Sequence, residues 1–123
     1  MTLQQISIAI VEDDRSLGNG LKRLLMLRGY RPLLFASAAE CLRAMGRTEV
    51  ACLLIDIQLG GDCGMELARK LSAMGVEAPV IHMSGSGDDW VREAAITSGC
   101  VAFLDKPFSM ELLIEAIERA VSP

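Results

Sequence analysis

The sequence predicts an α/β protein with a parallel sheet covered by helices on both faces, and three observations carry that expectation. Short apolar runs alternate with longer stretches of helical period along the whole chain. The runs are continuous rather than alternating, as strands buried on both faces require. Five such βα units follow one another with no internal repeat, linker or low-complexity segment. With 123 residues, 51 % of them apolar, the chain can build one core, and residues 1–123 are read as one domain.

The elements follow in order. Ile6–Val11 is a buried strand. Arg15–Arg28 is a helix with Leu17, Leu21, Leu24 and Leu25 on one face and Gly29 as its stop. Gly18 and Gly20 cost about 1 kcal/mol each relative to alanine, which predicts loose first turns. Arg31–Phe35 is a strand that Pro32 confines to an edge or a strand start. Ser37 and Glu40 form a capping box opening a helix to about Gly46. Ala51–Ile55 is the third strand, and Cys63–Met74 a helix with Leu67, Leu71 and Met74 inward and Gly75 after it. Pro79–Met83 is the fourth strand, Asp88–Ser98 the fourth helix, and Val101–Leu104 the fifth strand. Ser109 caps a last helix carrying Leu112, Leu113, Ala116, Ile117 and Val121.

Composition removes several functions. A net charge of −4 and a pI near 4.9 argue against non-specific nucleic-acid binding. Cys41, Cys52, Cys63 and Cys100 form no CxxC pair and no zinc-like spacing with His82, the one histidine. Cys52 and Cys100 read as reduced, buried thiols, and Cys63 as an inert thiol beside a glycine-rich loop. No signal peptide is evident, and no apolar run approaches the roughly 18 residues of a membrane span. A reducing cytoplasm is the expected location.

Ligands of an open parallel sheet bind at the carboxyl ends of its strands. Glu12, Asp13 and Asp14 follow the first strand, Asp56 the third, Ser84 the fourth and Lys106 the fifth. Singly, Asp14 is an N-cap, Glu12 or Asp13 a turn residue, Ser84 a loop residue and Lys106 a surface lysine. Jointly they place carboxylates, a hydroxyl and an ammonium at one rim. Clustered carboxylates raise one another's pKa, and a hard divalent cation relieves the repulsion. An oxygen-only donor set points to Mg²⁺, whose usual partners include phosphate oxygens, so phosphoryl chemistry is the expectation.

The order Glu12-Asp13, Asp56, Ser84, Lys106-Pro107 resembles the receiver domain of bacterial two-component response regulators. The resemblance runs from about Ile6 to Ala120, with Gly64 eight residues and Ser84 28 residues after Asp56, and Phe103 three before Lys106. It implies a flavodoxin-like (βα)5 fold with strand order 2-1-3-4-5, an order inherited from the family. It further implies that Asp56 is the phosphoacceptor. Asp13 would bind Mg²⁺ directly, Glu12 mostly through a metal-bound water, and Gln58 through its backbone carbonyl. Lys106 and Ser84 would hold the phosphoryl oxygens, and the Lys106–Pro107 peptide would be cis. Gly60 and Gly61 stand where the family usually begins with proline, which predicts a more mobile loop. His82 matches no functional position of the family and is read as a packed or half-exposed strand residue.

The implied function is a signalling switch rather than a metabolic enzyme, charged by a sensor histidine kinase or phosphotransfer protein. The resemblance further implies that on phosphorylation Ser84 would shift inward, Phe103 would turn from exposed to buried, and the surface of the fourth helix, fifth strand and fifth helix would dock a partner or a second copy. A haloacid-dehalogenase-like phosphatase also uses a strand-end Asp with Mg²⁺, but it wants a second acid where Gln58 stands, and a cap domain. A flavodoxin-like or dinucleotide-binding module wants a glycine-rich first loop, and this one is acidic. The start at Met1 speaks against the C-terminal receiver of a hybrid kinase; the end at Pro123 suits a stand-alone receiver or the front of a longer regulator. The run "FLDKPF" resembles receivers that feed helix-turn-helix outputs.

Overall fold

The continuous apolar runs become five strands of one parallel sheet. The structure, a computed structural model, describes residues 5–122. The strands are β1 (Ser7–Val11), β2 (Arg31–Phe35), β3 (Cys52–Asp56), β4 (Val80–Ser84) and β5 (Ala102–Asp105). Their spatial order is β2-β1-β3-β4-β5, every neighbouring pair parallel, as expected. The helices are α1 (Arg15–Leu27), α2 (Ala38–Met45), α3 (Gly64–Ala73), α4 (Asp89–Thr97) and α5 (Met110–Val121). Pro32 lies on β2, an edge strand, where a missing N–H costs no central ladder bond.

Alternation along the strands divides the core in two. Ile8, Ile10, Cys52, Leu54, Ile81, Met83 and Leu104 meet Leu21 and Leu25 of α1 and Leu113, Ile114 and Ile117 of α5. Ala9, Val11, Leu53 and Ile55 meet Cys41 and Met45 of α2 and Leu67 and Leu71 of α3. Val91 and Ala95 of α4 pack on Ile57, just past the end of β3. Each fully buried Leu or Ile contributes about 1.5–3 kcal/mol of transfer free energy, so these contacts hold the sheet's register.

Local signals act as expected at most helix ends. Asp14 accepts from the Leu17 amide at 3.0 Å and Ser109 from the Leu112 amide at 3.1 Å. In the capping box Ser37 Oγ accepts from the Glu40 amide, while the Glu40 carboxylate takes the Ala36 amide at 3.0 Å. The start of α1 is a continuous helix through Gly18 and Gly20; Gly18 is buried, and a Cβ there would lie 3.1 Å from Leu34 Cδ1, so glycine permits close approach to β2. Two expectations are corrected. Met74 and Leu112 are about half exposed, and Ile114 is buried in place of Leu112. Cys100 is only half-buried.

The segment after Asp56 forms a short hairpin. Gln58–Leu59 pairs antiparallel with Asp62–Cys63 in a two-residue hairpin. Gly60, at φ +63°, is the first turn residue, and proline, locked near −65°, cannot adopt that angle.

Candidate functional site

Four strand ends and the loops after them bring the expected residues together at one edge of the sheet. β1 and β3 are register neighbours, so Glu12 and Asp13 arrive beside Asp56. Glu12 and Asp56 are buried, Asp13 is exposed, and one carboxylate oxygen from each lies within 4.8 Å of the others. Lys106, half-buried, donates from Nζ to Glu12 Oε1 and to Asp56 Oδ2, both at 2.7 Å. The Gln58 amide donates to Asp56 Oδ1 at 2.9 Å, and the Asp14 amide to Glu12 Oε2 at 3.1 Å. Both oxygens of each buried carboxylate therefore have a donor.

The backbone around Asp56 is clamped. Ile57 donates to the Met83 carbonyl at 2.9 Å, and the Gly64 amide donates to the Ile57 carbonyl at 2.7 Å. A Cβ on Gly64 would collide with the Asp56 carbonyl oxygen, so only glycine lets α3 start this close to the acid. The Lys106–Pro107 peptide is cis, as expected, and the Lys106 amide donates to the Ser84 carbonyl at 2.8 Å.

Ser84 is buried at the end of β4, where its hydroxyl meets Gln58 Oε1 at 3.2 Å and Ser86 Oγ at 3.3 Å and accepts from the Ser86 amide. It is turned to Gln58 and Ser86 rather than to Asp56. Phe103 is half-buried at the edge of the Ile57–Val91–Ala95 cluster. His82 is fully buried; its Nδ1 lies 3.2 Å from the Ile55 carbonyl, and burial pulls its pKa down, leaving the ring neutral at neutral pH. Cys41 and Cys52 are buried thiols pushed by burial up to about 11 and about 12, Cys63 is exposed, and all four cysteines are free. The side chain of Gln58, the hydroxyl of Ser86 and the guanidinium of Arg92 were not legible in advance. Gln58 offered a weak signal in its place two residues after Asp56.

Burial raises the Glu12 pKa above its ordinary 4.5, the Lys106 ammonium and the Asp14 amide oppose the rise, and the Asp56 charge adds to it. Burial lowers the Lys106 pKa, and the carboxylates of Asp56 and Glu12 more than offset it, so the net shift is upward. Between pH 4.5 and the raised value the native state therefore keeps a proton on Glu12 that the unfolded chain has already released. Its contribution to stability grows as pH falls through the raised value and is complete below 4.5. The Lys106 contribution is complete below 10.5 and is lost as pH rises through the raised value. In metal-free buffer Asp13→Ala is expected to unfold at equal or higher denaturant concentration than the parent, because it removes a like charge from this cluster. A clear loss of stability, read as a fall in the urea midpoint, would make Asp13 a structural residue instead.

The family model of the response regulator receiver domain matches residues 8–118. The chain belongs to the response regulator receiver family. It is 35 % identical over 121 residues to the response regulator protein TmoT of Ectopseudomonas mendocina, covering 98 % of this chain and 55 % of that protein. It is 32 % identical over 114 residues to the transcriptional regulatory protein FixJ of Bradyrhizobium diazoefficiens, covering 93 % of this chain and 56 % of that one. The crystal structure of FixJ-N superposes with a TM-score of 0.88 at 30 % identity, covering 97 % of this chain and 95 % of that one. This receiver spans about half the length, or less, of the curated relatives it matches. The phosphatase alternative finds no support among these relatives. No helix among the described residues is long and apolar enough to cross a membrane.

Proposed function

We propose that this receiver accepts a phosphoryl group on Asp56 from a phospho-histidine donor, a sensor histidine kinase or a phosphotransfer protein. The observation that carries the reading is the meeting of Glu12, Asp13 and Asp56 at one strand edge with Lys106 Nζ 2.7 Å from two of them. An Asp56 oxygen forms the bond to phosphorus as the donor's nitrogen–phosphorus bond breaks. Lys106 is placed to hold a phosphoryl oxygen. Ser84 needs only to exchange Gln58 and Ser86 for the new oxygens to do the same.

The all-oxygen donor set suits Mg²⁺: Glu12, Asp13 and Asp56 supply carboxylates, and the backbone carbonyl of Gln58 would complete the set. When bound, the ion supplies screening between the approaching phosphate and the carboxylates. The Lys106 ammonium is the counter-ion of Glu12 and Asp56.

On this reading residues 1–123 are one receiver, a cytoplasmic switch rather than a metabolic enzyme, with no nucleic acid bound by the domain itself. The α4–β5–α5 face would dock a partner or a second copy. The name of FixJ as a transcriptional regulatory protein favours control of transcription as the output of this switch.

Incubation with a small phosphodonor and Mg²⁺ should add one phosphate, located on Asp56 by peptide mapping. EDTA should block it, and Asp13→Ala should lose the extra stability that Mg²⁺ gives the parent. Labelling at another residue, or equal labelling in EDTA, contradicts the reading.

A further inference from the structure

Arg92 stands one residue past the buried Val91, and its guanidinium crosses from α4 to β5. There it pairs with Asp105 and lies 4.8 Å from the centroid of the Phe103 ring. Phe103 and Asp105 are two residues apart on one strand and so share a face. Leu104 between them faces α1 and α5, which puts the pair on the side of α4. One planar guanidinium can cover the ring with its face and meet the carboxylate at its edge; an ammonium has no plane to stack.

The location matters as much as the contact. His82 and Ser84 on β4 are the register partners of Phe103 and Asp105. Lys106 follows Asp105 directly and is tied to Ser84 through its amide. A contact on these two β5 residues therefore sits beside the group that must move and the group that must hold phosphate.

We propose that Arg92 is a positioning residue that latches Phe103 in its half-buried resting placement and so sets how readily the receiver switches. The inference rests on the reading of Phe103 as the switch aromatic. Asp105 tethers the guanidinium on the strand, so the ring cannot move deeper onto Ile57, Val91 and Ala95 and keep the cation over its face. Both contacts thus favour the resting placement. Each is partly exposed, so losing both shifts the resting-to-switched ratio by roughly three- to tenfold.

The test compares the parent with Arg92→Ala, Arg92→Lys and Asp105→Asn. First, without any phosphate analogue, nuclear Overhauser contacts from the Phe103 ring to the Val91 and Ala95 methyls report the ring's depth. Second, beryllofluoride is titrated in Mg²⁺ and followed by the fluorescence of Trp90, the chain's one tryptophan, two residues before Arg92 on α4. Arg92→Ala should strengthen the ring contacts and lower the beryllofluoride midpoint by roughly three- to tenfold. Arg92→Lys, which keeps the ion pair, and Asp105→Asn, which keeps the arginine, should fall between it and the parent. Mg²⁺ affinity without beryllofluoride should not change, because Arg92 pairs with none of Glu12, Asp13 and Asp56. Should Arg92→Ala fail to fold, Asp105→Asn carries the same test with a smaller shift. Unchanged ring contacts, or an unchanged or raised midpoint, overturn the latch. If the parent ignores beryllofluoride while Arg92→Ala still draws the ring inward, the latch stands and the phosphoacceptor reading fails.

Discussion

Asp56→Asn is expected to take up no phosphate from a small phosphodonor in Mg²⁺, under conditions that label the parent fully. The substitution keeps shape and one oxygen but removes the carboxylate's charge. A neutral amide is neither a competent nucleophile toward phosphorus nor a strong metal ligand. The surroundings should survive it. The Gln58 amide can still donate to Oδ1, and Lys106 still has Glu12 at 2.7 Å. Removing one of two buried carboxylates also relieves the repulsion that adds to the rise of the Glu12 pKa. Unfolding in metal-free buffer should therefore stay within about 1 kcal/mol of the parent. Intact mass and a urea melt check both halves. Labelling of the variant at the parent's rate would move the acceptor to another side chain, with Asp13 the first to examine.

Gly64→Ala is expected to cost about 3 kcal/mol or more, the upper end for forcing atoms into a packed site. The new Cβ would meet the Asp56 carbonyl oxygen, lie 2.8 Å from the Asp56 carbonyl carbon and 2.9 Å from Ile55 Cγ2. None of these can retreat cheaply. β3 is fully buried, bonded to β1 on one side and β4 on the other. Relief requires moving the start of α3 away, which breaks the 2.7 Å bond from the Gly64 amide to Ile57 and displaces the Asp56 backbone. Phosphate uptake should slow with the loss of stability. Gly61→Ala is the control: nothing lies within 4 Å of its added Cβ and its φ is not left-handed. That variant should stay within about 0.5 kcal/mol of the parent. Equal urea midpoints for the Gly64 and Gly61 variants would mean that the close approach is not needed.

The pattern of apolar runs determined the five strands, the five helices and the class of fold, because burial on both faces leaves a continuous apolar signature that survives without coordinates. The strand-end positions of Glu12, Asp13, Asp56, Ser84 and Lys106 were legible for the same reason, since parallel strands share a carboxyl edge. The last three expected strands nevertheless ran one residue early: Asp56, Ser84 and Asp105 belong to β3, β4 and β5 themselves. Apolarity marks burial, whereas backbone hydrogen bonds set a strand's extent, and a buried acid looks like a loop residue until its partners are known. Met74 was assigned inward, and Leu112 was grouped with the apolar residues of the last helix, because periodicity gives a helix face only to within a residue's rotation; how each helix is seated on the sheet then decides which side chain is covered. Only the tertiary structure could place Lys106 between Glu12 and Asp56, 94 and 50 residues away in sequence, or set Arg92 on Phe103 and Asp105. Residue types and local spacing carry charge and periodicity. Which distant charges meet is decided by the register of strands and the seating of helices, where packing across the whole core sets the distances.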